Sequence, residues 1–127
     1  MKNWLNFFFG ITASLLMMSV GGRAFSDELA MGEKVFKRYC LACHALPSQK
    51  TNHVGPNLHG VVGRAVGQVP DFSYSSANTA SHFIWTEENL NSYLVDPRIF
   101  VLGTKMIFPG IKSAIERKAL IAFLKAN

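Results

Sequence analysis

At 127 residues the chain has room for one domain, and its 49% hydrophobic and 12% aromatic content is too apolar for a disordered one. Two cysteines exclude a multi-disulfide scaffold. A formal charge of +5 suits some anionic partner without selecting it, and no Lys/Arg run supports nucleic-acid binding.

The first 26 residues differ in kind from the rest. Lys2 precedes an apolar run from Trp4 to Val20, no acid occurs before Asp27, and Ala24-Phe25-Ser26 offers small residues of the kind a signal peptidase reads. This predicts a secretory signal, residues 1–26, cleaved after Ser26, with residues 27–127 as the domain. The alternative is a retained membrane anchor at 4–20, whose 17 residues are short for a span. Losing Lys2 and Arg23 leaves 11 basic and 8 acidic residues, a formal +3.

Beyond that segment, Leu29, Gly32, Val35, Phe36, Tyr39, Cys40 and Cys43 recur at three and four, predicting a helix with Asp27 as its N-cap and Glu28 favourable to its dipole. Residues 45–73 are punctuated by Pro47, Gly55-Pro56, Gly60, Gly63, Gly67 and Pro70 and read as turns. Residues 75–80 can make one helical turn. Thr86-Glu87-Glu88 opens a helix carrying Leu90, Tyr93 and Leu94, which Pro97 ends by pushing Asp96 out of the helical region. Residues 99–110 read as a loop. Ser113 to Glu116 is a capping box for a last helix with Leu120, Phe123 and Leu124 on its buried face. No segment alternates like a strand. The reading is an all-α fold with long loops, a design that makes sense when the loops wrap a large apolar object.

The chemistry lies in Cys40-Leu-Ala-Cys43-His44. C-x-x-C-H attaches c-type haem: two cysteines three apart on a helical turn face the same way for two vinyl groups, and the next residue aims an imidazole at the iron. A thioredoxin-like dithiol would need a βαβ context, and a zinc site would need a second ligand pair. A disulfide across two residues would be strained and leaves His44 unexplained. A six-coordinate haem needs a second axial ligand. Met31, His53, His59, His82 and Met106 are available. Met31 lies nine residues before Cys40 on the same helix and points away from the haem face. Met106, 62 residues past His44 in a loop, can reach the opposite face, although gap-filling is an equally ordinary use of a loop methionine. The three histidines default to surface or loop hydrogen bonding.

From Gly32 to Lys125 the chain resembles a class I cytochrome c, of the mitochondrial and bacterial cytochrome c2 type. The match runs in order through Gly32-Glu-Lys-Val-Phe36, Cys40 to His44, Gly55-Pro-Asn-Leu-His-Gly60 and Gly63-Arg64. It continues through Phe72-Ser-Tyr74, Ala77-Asn78, Trp85, Tyr93-Leu94, Gly103-Thr-Lys-Met106, Phe108 and Gly110-Ile-Lys112. The resemblance implies end helices that cross, Gly32 and Phe36 meeting Leu120 and Phe123, and long loops around one covalently bound haem c. It implies that Cys40 and Cys43 hold the haem, that His44 and Met106 are the axial ligands, and that the Pro56 carbonyl accepts the second imidazole N–H. Tyr93 and Thr104 match positions that hydrogen-bond around the methionine sulfur and the buried haem edge. Arg64, Tyr74 and Trp85 match positions that satisfy the propionates, Asn78 belongs to an internal water network, and Phe108 sits at the cofactor.

The implied function is a single-electron carrier and not an enzyme, with a cytochrome complex or dehydrogenase as donor and an oxidase or reductase as acceptor. It would be a monomer that meets membranes only through its partners, and the signal makes its compartment the periplasm. Docking would use Arg98, Lys105 and Lys112 at the exposed haem edge. Tyr39, Ile99, Ser113 and Ala114 stand where relatives carry lysines, and two propionates reduce the formal +3 to about +1, which predicts weak salt dependence of docking. Leu102 replaces the proline usual before Gly103, and Pro109 follows Phe108; both bear on the stiffness of the Met106 loop.

Overall fold

The computed structural model describes residues 20–127, so all but Val20 of the candidate anchor and most of the candidate signal lie outside the described residues. Among the described residues five α-helices follow one another: α1 Val20–Tyr39, α2 Ser76–Ala80, α3 Glu87–Val95, α4 Pro97–Phe100 and α5 Ala114–Lys125, with one 3-10 turn at Pro47–Gln49. Among the described residues the β pairing is an isolated bridge between Ala65 and Ile84, so the fold is all-α as expected. No helix among the described residues is long and apolar enough to cross a membrane.

Side-chain caps explain most of the boundaries. Ser75, Thr86 and Ser113 accept from the backbone N–H of Asn78, Asn89 and Glu116 and start α2, α3 and α5. Three expectations are corrected. Asp27 is not an N-cap, because α1 runs unbroken through it from Val20; Gly21-Gly22 lowers helix propensity by about 1 kcal/mol per residue, which weakens a helix without ending it. Ile99 and Phe100 are helical rather than loop, because Asp96 both ends α3 and caps the Arg98 N–H of α4, with Pro97 at the first helical position. The capping box at Ser113 is half formed. Ser113 caps, but the Glu116 carboxylate goes to Arg38 at 2.8 Å and accepts from the Tyr39 hydroxyl at 3.4 Å.

The core forms where α1 crosses α5. Phe36 and Leu120 are fully buried, and the Phe36 and Phe123 rings lie 5.6 Å apart. Burying a side chain of that size contributes about 1.5–3 kcal/mol. Gly32 permits the crossing: a Cβ there would sit 2.6 Å from Phe123 Cβ and collide with the Ala119 carbonyl. The nearest neighbours of Gly32 are thus Ala119 and Phe123 rather than Leu120. Met31 is half-buried and packs on the same core, away from the C-x-x-C-H turn. From this crossing the chain leaves α1 into the motif turn, and the loop that follows α3 and α4 carries Met106.

Candidate functional site

The end of α1 supplies the first half of the site. Cys40 and Leu41 donate to the Phe36 carbonyl, and Cys43 and His44 donate to the Cys40 carbonyl at 3.0 and 2.8 Å, so the helical turn continues through the motif. Cys40 is half-buried and Cys43 exposed, and their sulfurs are not bonded to each other. Burial, and then the neighbouring Cys43, push the Cys40 thiol up to about 12. Among the described residues no three His, Cys, Asp or Glu side chains group as metal ligands.

His44 is buried, and its Nδ1 lies 2.7 Å from the Pro56 carbonyl oxygen. A carbonyl only accepts, so Nδ1 carries the proton and Nε2 keeps a free lone pair. Burial holds the imidazole below its ordinary pKa of 6.5; the Pro56 bond opposes this and the charge of His53 adds to it. The loop reaches His44 because Gly55 has no side chain: a Cβ there would lie 2.7 Å from Nδ1 and 2.9 Å from Nε2. The Gly55 N–H returns to the Cys43 carbonyl at 2.8 Å, closing the loop onto the motif.

The second half rises from α3. Tyr93 is buried, and its hydroxyl donates to Met106 Sδ at 3.0 Å. The Met106 N–H donates to Thr104 Oγ1 at 3.3 Å, and Thr104 N–H to the Val101 carbonyl at 3.0 Å, which shapes the loop leaving α4. Four aromatic rings support this wall: Trp85 lies 4.8 Å from both Phe83 and Tyr93, with Phe100 at 5.5 Å from Phe83 and 6.0 Å from Tyr93. Tilted and edge-on pairs of this kind hold ring orientation beyond simple area burial. Phe83 and Phe100 went unnoticed in the sequence because neither belongs to a helical stripe.

The remaining candidates sit around these two halves. Arg64 spends its guanidinium on the His59 and Asn57 carbonyls at 2.8 and 3.0 Å. Its backbone carbonyl accepts from the Trp85 N–H at 2.9 Å, and the Gly63 N–H donates to the Trp85 carbonyl at 2.8 Å. The Tyr74 hydroxyl accepts from the Val69 N–H at 3.3 Å. Burial raises the Tyr74 pKa; the Val69 bond and the charge of Arg64 lower it. Asn78 is buried in the α2 cap, accepting from the Ser75 hydroxyl at 2.7 Å. Phe108 is half-buried and stacks edgewise on Tyr39 at 6.2 Å. Asn52, which sequence reading passed over, accepts from the Asn57 N–H at 2.9 Å and donates to Pro70 at 3.0 Å, tying two loops together.

His53, His59 and His82 are exposed. Arg98, Lys105 and Lys112 are exposed too. The Lys112 ammonium rests on the Val95 carbonyl at 2.8 Å. That of Lys105 rests on the Ser73 carbonyl and lies 5.5 Å from the centre of the Phe72 ring.

The donor set fits a covalently held haem. A neutral imidazole with Nδ1 satisfied, a thioether polarised by a buried hydroxyl, and two thiols on one helical turn are the groups that cofactor requires. No protein-family model matches the chain. Known proteins do. It is 48% identical over 94 residues to cytochrome c type-1 of Ascaris suum, covering 74% of this chain and 83% of that one. It is 47% identical over 98 residues to cytochrome c of Sesamum indicum, covering 77% and 88%. Among solved structures, cytochrome cH from Methylobacterium extorquens aligns with a TM-score of 0.73 at 40% identity, over 78% of this chain and 98% of that one.

Proposed function

The chain belongs to the class I c-type cytochromes, electron-transfer proteins with one covalent haem c and redox-protein partners, and from that premise we propose a His44/Met106-ligated carrier of single electrons. Cys40 and Cys43 would form the two thioether links. When bound, the haem supplies the Fe(II)/Fe(III) couple. The observation that carries the reading is the pair of supporting bonds, Nδ1–H of His44 to Pro56 and the Tyr93 hydroxyl to Met106 Sδ. One fixes which imidazole nitrogen is free; the other draws electron density from the sulfur.

The chain's own residues set the redox behaviour. A thioether donates weakly, which favours the reduced state, and the O–H bond from Tyr93 weakens it further. Thr104 aligns the Met106 backbone. The aromatic wall of Phe83, Trp85, Tyr93 and Phe100 excludes water, so a charge change inside is poorly solvated. Arg64, Tyr74 and Trp85 would meet the propionates, Asn78 would order internal water, and Phe108 would cover the cofactor beside Met106. Docking would use Arg98, Lys105 and Lys112. We take the donor as a cytochrome complex or dehydrogenase and the acceptor as an oxidase or reductase of a respiratory chain, met by a monomer in the periplasm after cleavage behind Ser26. A second reading keeps residues 4–20 as an anchor, and it draws on α1 passing unbroken through Ser26. The intact mass of the exported protein separates the two.

Optical spectra of the holoprotein, oxidised and reduced, with and without carbon monoxide, test the ligand set. A weak far-red band in the oxidised state and a reduced spectrum indifferent to carbon monoxide support a closed His44/Met106 site. Absence of the band with rapid carbon monoxide binding overturns it and moves ligand sensing or peroxidase chemistry forward.

A further inference from the structure

Arg117 is a cation buried in α5 with no carboxylate partner among the described residues. A buried charge is costly unless its donors are satisfied. Here they are satisfied by carbonyls: Nη1 donates to Ile111 O at 2.8 Å and Lys112 O at 3.0 Å, and Nε donates to Asn91 Oδ1 at 2.9 Å. Ile111 and Lys112 are where the chain leaves the Met106 loop, and Asn91 belongs to α3. Three further contacts join the same two pieces. The Ile111 N–H donates to the Leu94 carbonyl at 2.7 Å, the Lys112 ammonium to the Val95 carbonyl at 2.8 Å, and Gly110 packs flat on Val95. α3 is also the helix that presents Tyr93 to Met106 Sδ. The loop is therefore held to one helix twice, at its sulfur and at its exit, and α5 supplies the bolt at the exit.

We propose that Arg117 is a positioning residue for the distal ligand, clamping the exit of the Met106 loop to α3 so that the sulfur stays in register with Tyr93. A guanidinium suits this task because its planar fork can address two adjacent carbonyls and a side-chain amide at once, which an ammonium cannot. The clamp sets the local opening of the loop, a motion distinct from global unfolding. The proposal rests on Met106 being the distal ligand.

The test compares holoprotein carrying Arg117→Lys, which keeps the charge and loses the fork, and Asn91→Ala, which removes the Nε partner from an exposed helix face. Phe123→Leu, at the α1–α5 crossing, serves as a general destabiliser. Carbon monoxide binding to the reduced protein is expected to rise about tenfold in Arg117→Lys, equivalent to ~1.4 kcal/mol of easier opening, and to rise in the same direction in Asn91→Ala. The far-red band of the oxidised protein should vanish at lower denaturant than the helical circular dichroism in both variants. In Phe123→Leu the two signals should move together. If both variants bind carbon monoxide no faster than the native protein, or lose band and helix in one transition, the clamp is wrong while the ligand assignment stands. A native protein that lacks the band and binds carbon monoxide removes the ligand assignment and the clamp with it.

Discussion

Tyr93 and Gly55 bear on the two halves of the site in different ways, one through a hydrogen bond and one through the space it leaves. Tyr93→Phe keeps the ring in the aromatic wall and removes only the hydrogen bond to Met106 Sδ. A neutral hydrogen bond is worth about 1 kcal/mol, which for a one-electron couple is ~40 mV, tenfold being 59 mV. With Met106 as the proposed ligand, the sulfur would then donate more freely to the oxidised iron, so the midpoint potential should fall by about that amount in a redox titration; a rise or no change would separate Tyr93 from the sulfur. Gly55→Ala acts through shape instead. The added methyl overlaps the His44 ring, so either the imidazole leaves Pro56 or the loop moves. Recovery of holoprotein from an exporting host should drop several-fold relative to native, measured as haem absorbance per mole of polypeptide. The side-chain roles at this scale were readable where a motif names the atom, as in C-x-x-C-H. Gly55 carries no chemistry of its own, and its reason emerges only from the ring stacked against it.

Packing of whole helices turns on the α1–α5 crossing. Gly32→Ala places a methyl against the Ala119 carbonyl and Phe123, and overpacking of this kind costs about 1–3 kcal/mol. A urea titration should show that loss as a lower midpoint with an unchanged slope; retention of the native midpoint would mean the helices cross elsewhere. The helices themselves were legible in proportion to how local their signals are. α3 and α5 begin at Thr86 and Ser113, where one hydroxyl meets one N–H three residues on. α4 was missed because Pro97 stops one helix and starts the next, and a proline in sequence announces only the stop. Half of the expected box at Ser113 was lost because Glu116 finds Arg38, a partner 78 residues away, and no local pattern records such a pairing. Arg117 was hidden for a related reason. It stands three, four and seven residues before Leu120, Ile121 and Leu124, on their buried stripe, yet a charged residue at such a position reads as solvated until its carbonyl partners are seen.

For the molecule as a whole, charge decides how it responds to solvent. On the alkaline side, burial raises the Tyr74 phenol above its ordinary value of 10.0. The native state therefore keeps a proton that the unfolded chain releases, so this contribution to stability is intact below about pH 10 and is lost as pH rises through the folded value. Denaturation midpoints should fall above pH 10, and Tyr74→Phe should flatten that fall. Encounter with partners depends on the exposed face. Lys105 and Lys112 have their ammonium groups seated on backbone carbonyls, and Ile99, Leu102 and Ile107 of the same stretch of chain are 75%, 81% and 96% exposed. Electrostatic steering grows with the number of free charges facing the partner and is screened over about 8 Å at physiological ionic strength. The proposed docking cations are three, two of them braced against the backbone, and cleavage after Ser26 with two propionates would bring the charge near +1, which offers little to screen. The second-order rate with a membrane oxidase should accordingly drop by less than about tenfold between low and physiological salt, where steered pairs can lose up to ~10³. Ile99→Lys should steepen that slope by adding a charge to an exposed position. A native slope as steep as that of lysine-ringed cytochromes would place the docking contacts on charges rather than on this apolar face.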